Sequence, residues 1–345
     1  MRSFKSVPSK ILFAIIVFLF CAISAKAAGD NSGKFNPSDM IMHHIADDYQ
    51  WHFFTYHNES GEHHVSLYLP VVIVSDKGVD VFFTSQFHHH KQVTGSSGNV
   101  YELHHGKIQE VNHAAIYDLS ITKNVTSMII AALLMFFIFT AVARGYKKNE
   151  GRAPKGIQSF FEPIIVYVRD DIAVPNIGEK KYQKFFPYLL TLFFFIWINN
   201  LLGLIPTGAN ASGNIAFTMV LAVLTLIITN VNGNKHYWGH ILAMPGVPRW
   251  ILVILTPVEL VSIIVKPFAL MIRLFANIAA GHIIILSLLS IIFIFKSVFV
   301  GIPAAVFVLL MMMLELFVAA LQAYIFTLLT ALFIGQAVET HDEHH

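Results

Sequence analysis

Cysteine is almost missing from this chain: Cys21 is the only one in 345 residues. It falls in an amino-terminal segment that reads as a leader, and Phe20 before it is too bulky for a lipoprotein cleavage site. The remainder therefore has no disulfide, no thiol nucleophile and no thiolate metal ligand. Charge is scarce too. Asp, Glu, Lys and Arg make up 13% of the residues against 55% hydrophobic ones, and the mean hydropathy is +0.62. That balance excludes an ordinary soluble domain and describes a chain that crosses a membrane several times. The net charge of +2 is too small to argue for a nucleic-acid partner. A phosphate-binding Gly-rich loop is also lacking, so the sequence offers no nucleotide site.

What is present begins with a leader. Arg2, Lys5 and Lys10 precede an apolar run from Ile11 to Ile23, and Ala25-Lys26-Ala27 has the small-residue pattern of a cleavage site. The run is roughly 13 residues, short of the ~20 a retained spanning helix needs. Residues 1–27 are thus expected to be a signal peptide and residues 28–124 an exported, periplasmic domain. This domain holds 12 of the 18 histidines. Val65–Leu69 and Val79–Phe83 read as strands, with turn signals at Lys77-Gly78 and between Gly95 and Gly98. A small β or α+β domain is expected. Its histidines either bind a metal such as Zn²⁺, buffer protons, or form a solvated surface.

Apolar spans follow at 126–143, 186–205 and 214–231, then two much longer ones at 251–295 and 302–336. As helices the last two would measure roughly 67 and 52 Å, against a hydrocarbon core of about 30 Å. Each must be split or strongly tilted, and two long tilted helices are favoured. Between the first two spans, 152–184 sets Phe160, Phe161, Ile164, Ile165 and Val168 against Arg169, Asp170, Asp171, Lys180 and Lys181, a pattern suited to an amphipathic surface helix. The expected fold is an all-α polytopic membrane domain (125–336) of five membrane helices plus that surface helix, followed by a cytoplasmic tail, 337–345. Arg144, Lys147, Lys148, Arg152, Lys155, Lys180, Lys181 and Lys184 gather between the first two spans. By the positive-inside rule that side faces the cytoplasm, and five crossings bring the carboxy terminus there too.

Arg273 is the residue that most needs a reason. An arginine at membrane depth costs about 2.5–3.5 kcal/mol on insertion scales, so such residues usually face a cavity or an ion path and pair with a carboxylate. No acid lies within a helical turn of it. The nearest before it is Glu259, so the partner is distant in the chain or on another protein. With ~100° per residue, Glu259, Ser262, Lys266, Arg273 and Asn277 fall within roughly 60° of arc, a polar stripe on an apolar helix whose register Pro267 can blur. His282 faces away from Arg273. Glu315 and Gln322 repeat the seven-residue spacing on the last segment. Taken singly these polar residues can be interhelical hydrogen bonds, Lys266 can snorkel, and Asn199 and Asn200 can be packing amides. Taken together, a fixed cation with titratable stations on two adjacent long helices is what a proton relay needs.

Arg273-Leu274-Phe275-Ala276-Asn277-Ile278-Ala279-Ala280-Gly281-His282, with Leu314-Glu315 and Leu321-Gln322-Ala323-Tyr324, resembles the two signature helices of subunit a of F-type ATP synthase. Asn199-Asn200-Leu201-Leu202-Gly203-Leu204-Ile205-Pro206 and the Glu259–Pro267 stripe are similar to that family as well, and the resemblance covers about 120–340. It implies that Arg273 is the essential stator arginine facing a rotating ring of c subunits. Asn277, Gln322, His282 and Glu315 would line the outer half-channel, Glu259, Ser262 and Lys266 the cytoplasmic side, and Asn200 would belong to the same proton path. Implied partners are the c ring, the b-subunit peripheral stalk, the F1 sector indirectly and the lipid bilayer, with no cofactor. The chain would conduct protons without being an enzyme, in a bacterial inner membrane. It departs from the common bacterial order, which has Glu after the Gly and His on the last helix. Here the two are exchanged, and the histidine-rich 28–124 domain has no counterpart in the family core.

A secondary transporter or metal-ion channel with a metal-collecting domain is the competing reading. It predicts inverted repeats and midplane ligands, and the sequence has no such repeat.

Overall fold

The computed structural model describes residues 37–339, apart from 59–60, 90–91, 105, 113–114, 150, 206–207, 243, 245–246 and 296. The expected signal peptide, Cys21 and the end of the tail lie outside the described residues. The chain divides into two units, one taking in the described residues up to Lys123 with Leu289–Ala304, the other Asn124–Leu288 with Ala305 onward.

The first unit is built on short antiparallel strands. After α1 (Pro37–Ile45) come β1 (Gln50–Asn58), β2 (Gly61–Tyr68), β3 (Pro70–Ser75) and β4 (Gly78–Phe83). Then follow α2 (Ser85–His89), β5 (Gln92–Thr94), β6 (Val100–His104), β7 (Lys107–Glu110) and β8 (Tyr117–Asp118). They pair as β1-β2, β4-β3-β8 and β5-β6-β7. The expected strands at 65–69 and 79–83 fall on β2 and β4. Asp76 and Lys77 make the turn between β3 and β4, and Gly78, at φ 140°, opens β4 opposite Ser75. Alternate residues of β3 and β4 turn inward, and Val71, Ile73 and Phe82 join Tyr49, Val93, Tyr101 and Ile108 in one core. Asp80 is fully buried beside that core and is held by Ser96 Oγ at 2.8 Å, Ser97 N at 2.7 Å, Ser97 Oγ and Tyr101 Oη at 2.7 Å. A buried carboxylate with four donors is a satisfied structural group. Burial by itself pushes its pKa up, but the hydrogen bonds from Ser97, Tyr101 and Ser96 outweigh that and hold it down at about 2.

The second unit is helical. It starts with α3 (Lys123–Lys148), then α4 (Ile157–Tyr167), a π turn (Val168–Ala173) and α5 (Val174–Ile177). Next come α6 (Tyr182–Gly203), a 3-10 turn (Ala211–Gly213), α7 (Ile215–Val231) and α8 (Lys235–Leu242). The long helices α9 (Arg249–Phe295) and α10 (Val298–Val338) close the chain. Among the described residues, four helices are long and apolar enough to cross a membrane, or five if α7 and α8, bent by 103°, count as one broken span. The two long segments are each one helix, of 47 and 41 residues, and α9 runs unbroken through Pro257 and Pro267. The amphipathic helix expected over 152–184 is split by the π turn. Its apolar side does not merely rest on a surface: Val168, Ile172 and Ala173 are fully buried, and the Phe161 ring lies 5.6 Å from that of Phe194. Phe139 meets Phe194 edge-on at 4.9 Å, so aromatic rings weld α3, α4 and α6. On the other side of α3, Leu133, Phe136 and Phe137 are exposed, as residues facing lipid must be.

Candidate ion path

Arg273 is exposed on α9 and has no ion-pair partner among the described residues. Ala269, Ala276 and Ala280, also exposed, surround it on the helix surface, with Asn277 exposed beside them. Side chains this small leave the guanidinium standing clear of its own helix. Leu270, Leu274 and Ile278 on the opposite face are buried in the helical core. The 3.6-residue period thus turns one face of α9 inward and leaves the cation on the other.

Polar groups collect on either side of the Arg273 level. Toward the carboxy-terminal end of α9, His282 and Glu315 are both buried. A Cβ at Gly281 would lie 3.3 Å from Glu315 Oε1, so the carboxylate of α10 reaches α9 beside His282 through the gap that glycine leaves. Gln322 is buried two turns along from Glu315. Asn200 Nδ2 donates to the Ala319 carbonyl at 3.0 Å and ties α6 to α10, while Asn199 Nδ2 donates to Phe195 O at 2.8 Å within its own helix. The Oδ1 atoms of both amides are buried and accept no hydrogen bond from the chain. An unpaired buried carbonyl is costly, and water in a polar passage is what satisfies it.

Toward the other end, Lys266 Nζ donates to Gln336 Oε1 at 3.2 Å and lies 5.7 Å from the Phe333 ring centre. Thr225, Thr229, Asn230 and Tyr237 line the same cavity, and Tyr237 Oη donates to Asn230 Oδ1 at 3.1 Å. Thr225 Oγ1 continues inward to Tyr188 Oη at 3.2 Å and Thr330 Oγ1 at 3.4 Å. Sequence reasoning named Lys266 alone of these. Thr218, Thr225 and Thr229, spaced seven and four apart, share one face of α7, but spacing alone does not tell which neighbour that face meets. Glu259 and Ser262, expected on the same stripe, are half-buried further toward the start of α9.

The arrangement is therefore a permanent cation on an open face, with a buried polar cluster toward one end of α9 and a partly buried one toward the other. At ~1.5 Å per residue, Lys266 lies about 10 Å before Arg273 along the helix and His282 about 13 Å after it. Two such passages, offset and separated by a charge that cannot release its proton, can deliver and withdraw a proton without joining.

Residues 125–335 match the family described as ATP synthase A chain, and residues 40–127 match the Domain of unknown function (DUF8433). Similar proteins include ATP synthase subunit a 2 of Chlorobaculum tepidum, 42% identical over 332 residues that cover 93% of this chain and 79% of the relative. ATP synthase subunit a of Chlorobium phaeobacteroides (strain BS1) is 48% identical over 238 residues, 66% of this chain and 68% of its own. That of Chloroherpeton thalassium is 45% identical over 232 residues, 66% and 69%. By the family match across the helical unit and by these identities, the chain belongs to the ATP synthase A chain family.

Proposed function

We propose that this chain is the proton-conducting stator subunit of the membrane sector of an ATP synthase, loading and unloading carboxylates on a rotating c ring through two offset half-channels. The observation that carries the reading is Arg273, exposed on a face of small side chains and paired with no carboxylate among the described residues. A guanidinium stays charged at any working pH and lowers the pKa of a carboxylate brought beside it. A ring carboxylate arriving at Arg273 gives up its proton toward the Lys266 side. It is reloaded from the His282–Glu315 side once past, and Arg273 blocks a direct leak. Each proton crossing 100 mV supplies about 2.3 kcal/mol, which the offset converts into rotation. The chain itself is non-catalytic. Its partners are the c ring, the b-subunit peripheral stalk and, indirectly, the F1 sector.

Asn277, Gln322, His282, Glu315 and Asn200 serve the outer half-channel, and Glu259, Ser262 and Lys266 the cytoplasmic one. Residues 1–27 are a signal peptide, 28–124 a periplasmic domain, 125–336 the membrane domain and 337–345 a cytoplasmic tail in a bacterial inner membrane. Leu289–Ala304, the end of α9 with the start of α10, belongs to the same unit as the amino-terminal domain, which supports putting both on one side. The coupling ion is taken to be H⁺, because His282 is a proton carrier rather than a Na⁺ ligand.

ATP-driven acidification of inverted vesicles, with and without Na⁺, tests the reading. Arg273→Ala should abolish pumping while subunit a remains at normal levels in the membrane, and Arg273→Lys should lose nearly all of it. Pumping by the lysine variant at the wild-type rate would show that a permanent planar charge is not what the site requires.

A further inference from the structure

We propose that the outward face of the β4-β3-β8 sheet is a membrane-docking surface, which lies on the headgroup region of the bilayer that anchors the chain. An antiparallel sheet with one face on its core ordinarily turns polar side chains outward. This one does not. Val71, Ile73, Asp80 and Phe82 point inward and are buried, so the cross-strand pairs Pro70–Phe83, Val72–Val81 and Val74–Val79 stand on the other face. Tyr117 of β8 pairs with Val74, and Leu119 continues on that side, its N–H donating to the Val72 carbonyl at 2.9 Å. Asp118 turns the opposite way and accepts from the Tyr49 hydroxyl.

The outward face therefore carries no charge, and Val79, Val81, Phe83, Tyr117 and Leu119 on it are each more than half exposed. Single exposed apolar residues are ordinary, but a contiguous sheet face of them marks a surface that meets something. Attachment shows what it meets. The chain passes from β8 into α3, the first span, with every step pinned: Ile121 N donates to Pro70 O at 3.1 Å, Thr122 Oγ1 to Asp47 Oδ2 at 2.9 Å, and Lys123 N to Asp48 O at 2.9 Å. Leu119 is four residues before Lys123, the start of α3, and so lies within about 14 Å of it. The Pro70–Phe83 end of the sheet is thus held close to where a span enters the bilayer.

Size separates a bilayer from a protein partner. Two strands of six residues and the short third one give a footprint of roughly 20 by 14 Å, about 300 Å². A stable protein interface takes about 800 Å² from each side. A face already tethered at the membrane needs far less, because the anchor supplies the local concentration. Its chemistry fits as well. Phe83 and Tyr117 stand at opposite ends of the sheet, and aromatic residues are favoured at the membrane–water boundary. Lys77, exposed in the turn at the far end, is of the type that buries its stem and keeps its ammonium among headgroups. Docking goes beyond the ion path and does not rest on it; only the leaflet follows from the orientation proposed above.

The test uses the intact ATP synthase complex, free of other reactive cysteines and carrying Cys21→Ser, in vesicles of phosphatidylglycerol and phosphatidylcholine. A nitroxide is attached at Val81→Cys or Leu119→Cys, and its collisions with oxygen and with a polar nickel chelate are read by power-saturation electron paramagnetic resonance. Both labels should favour oxygen, at a depth of about 5–10 Å into the boundary between headgroups and acyl chains. Gln109→Cys, exposed on β7 in another sheet, should stay open to the chelate. Adding Val79→Asp with Val81→Asp should lift the face and return the Leu119→Cys label to the chelate. If Val81→Cys hinders assembly, Tyr117→Cys reports from the same face. Labels as open to the chelate as Gln109→Cys would show a solvated face, and labels shielded from both relaxants would show a protein covering it. Either result, or a Leu119→Cys depth unchanged by the two aspartates, would overturn the proposal. Depth reads the same from either leaflet, so the outcome is independent of the orientation and of the Arg273 variants.

Discussion

Glu315 meets α9 at the one position that offers no side chain, and the histidine beside that glycine is buried with it. Two titratable groups buried on neighbouring helices this close together cannot act independently, since the charge on either sets the cost of charging the other. A double-mutant cycle of His282→Ala and Glu315→Ala, read as passive proton conductance, should therefore show coupling of about 1 kcal/mol or more. The exchange His282→Glu with Glu315→His should restore part of the rate. Additive losses without rescue would place the two residues in separate steps. In the amino-terminal unit, Asp80 illustrates the opposite use of a buried carboxylate, fully satisfied and structural. Its pKa is lowered from 3.8 to about 2, so its contribution is complete above about pH 4 and is lost as pH falls toward 2. Removing a donor with Tyr101→Phe should move acid unfolding of this unit to higher pH, measured by hydrogen exchange of β3, β4 and β6.

At the scale of elements, close approaches decide what can change. Gly335→Ala puts a methyl group into the Asn176 carbonyl, where backbone rather than a flexible side chain must yield, and overpacking of that kind costs roughly 1–3 kcal/mol. The level of subunit a in the membrane should fall, whereas Gly239→Ala, which meets nothing within 4 Å, should leave it unchanged. The spans were legible in the sequence because a bilayer demands long apolar runs, and the stripe through Lys266 and Arg273 because seven-residue spacing repeats a helix face. The π turn at Val168–Ala173 was not legible, since nothing in Val-Arg-Asp-Asp-Ile-Ala distinguishes a widened turn from an ordinary one. Nor were Thr225 and Thr330. A threonine in an apolar helix ordinarily bonds its own backbone, as Thr140 does to Phe136 O at 2.7 Å, and only packing shows which ones face a neighbour. Pro267, which could have blurred the register of the stripe, does not break the helix, and neither does Pro257. A proline frees one carbonyl but need not break a membrane helix whose neighbours or waters satisfy it.

For the molecule as a whole, the helical unit carries every residue assigned to the ion path, and the strand-built unit carries none. Deleting residues 28–121 while keeping the leader should leave ATP-driven pumping near the wild-type rate, and a deletion that assembles but cannot pump would show that the extra domain takes part in conduction. Zn²⁺ titration of the complex with and without these residues would tell metal binding from a solvated histidine surface.

A stator must also bear a load. On the function proposed above, every step of a ring against this wall would push back on α9, and an element that yields would spend the stroke as recoil before the ring advanced. With 47 residues in one helix, about 70 Å long, and α10 of 41 residues as a second long member, this wall has no hinge of loop along the contact. Elastic compliance should then reside elsewhere in the machine, in the stalks, and torque should be passed to them with little loss at the point where the proton's energy is first converted to motion.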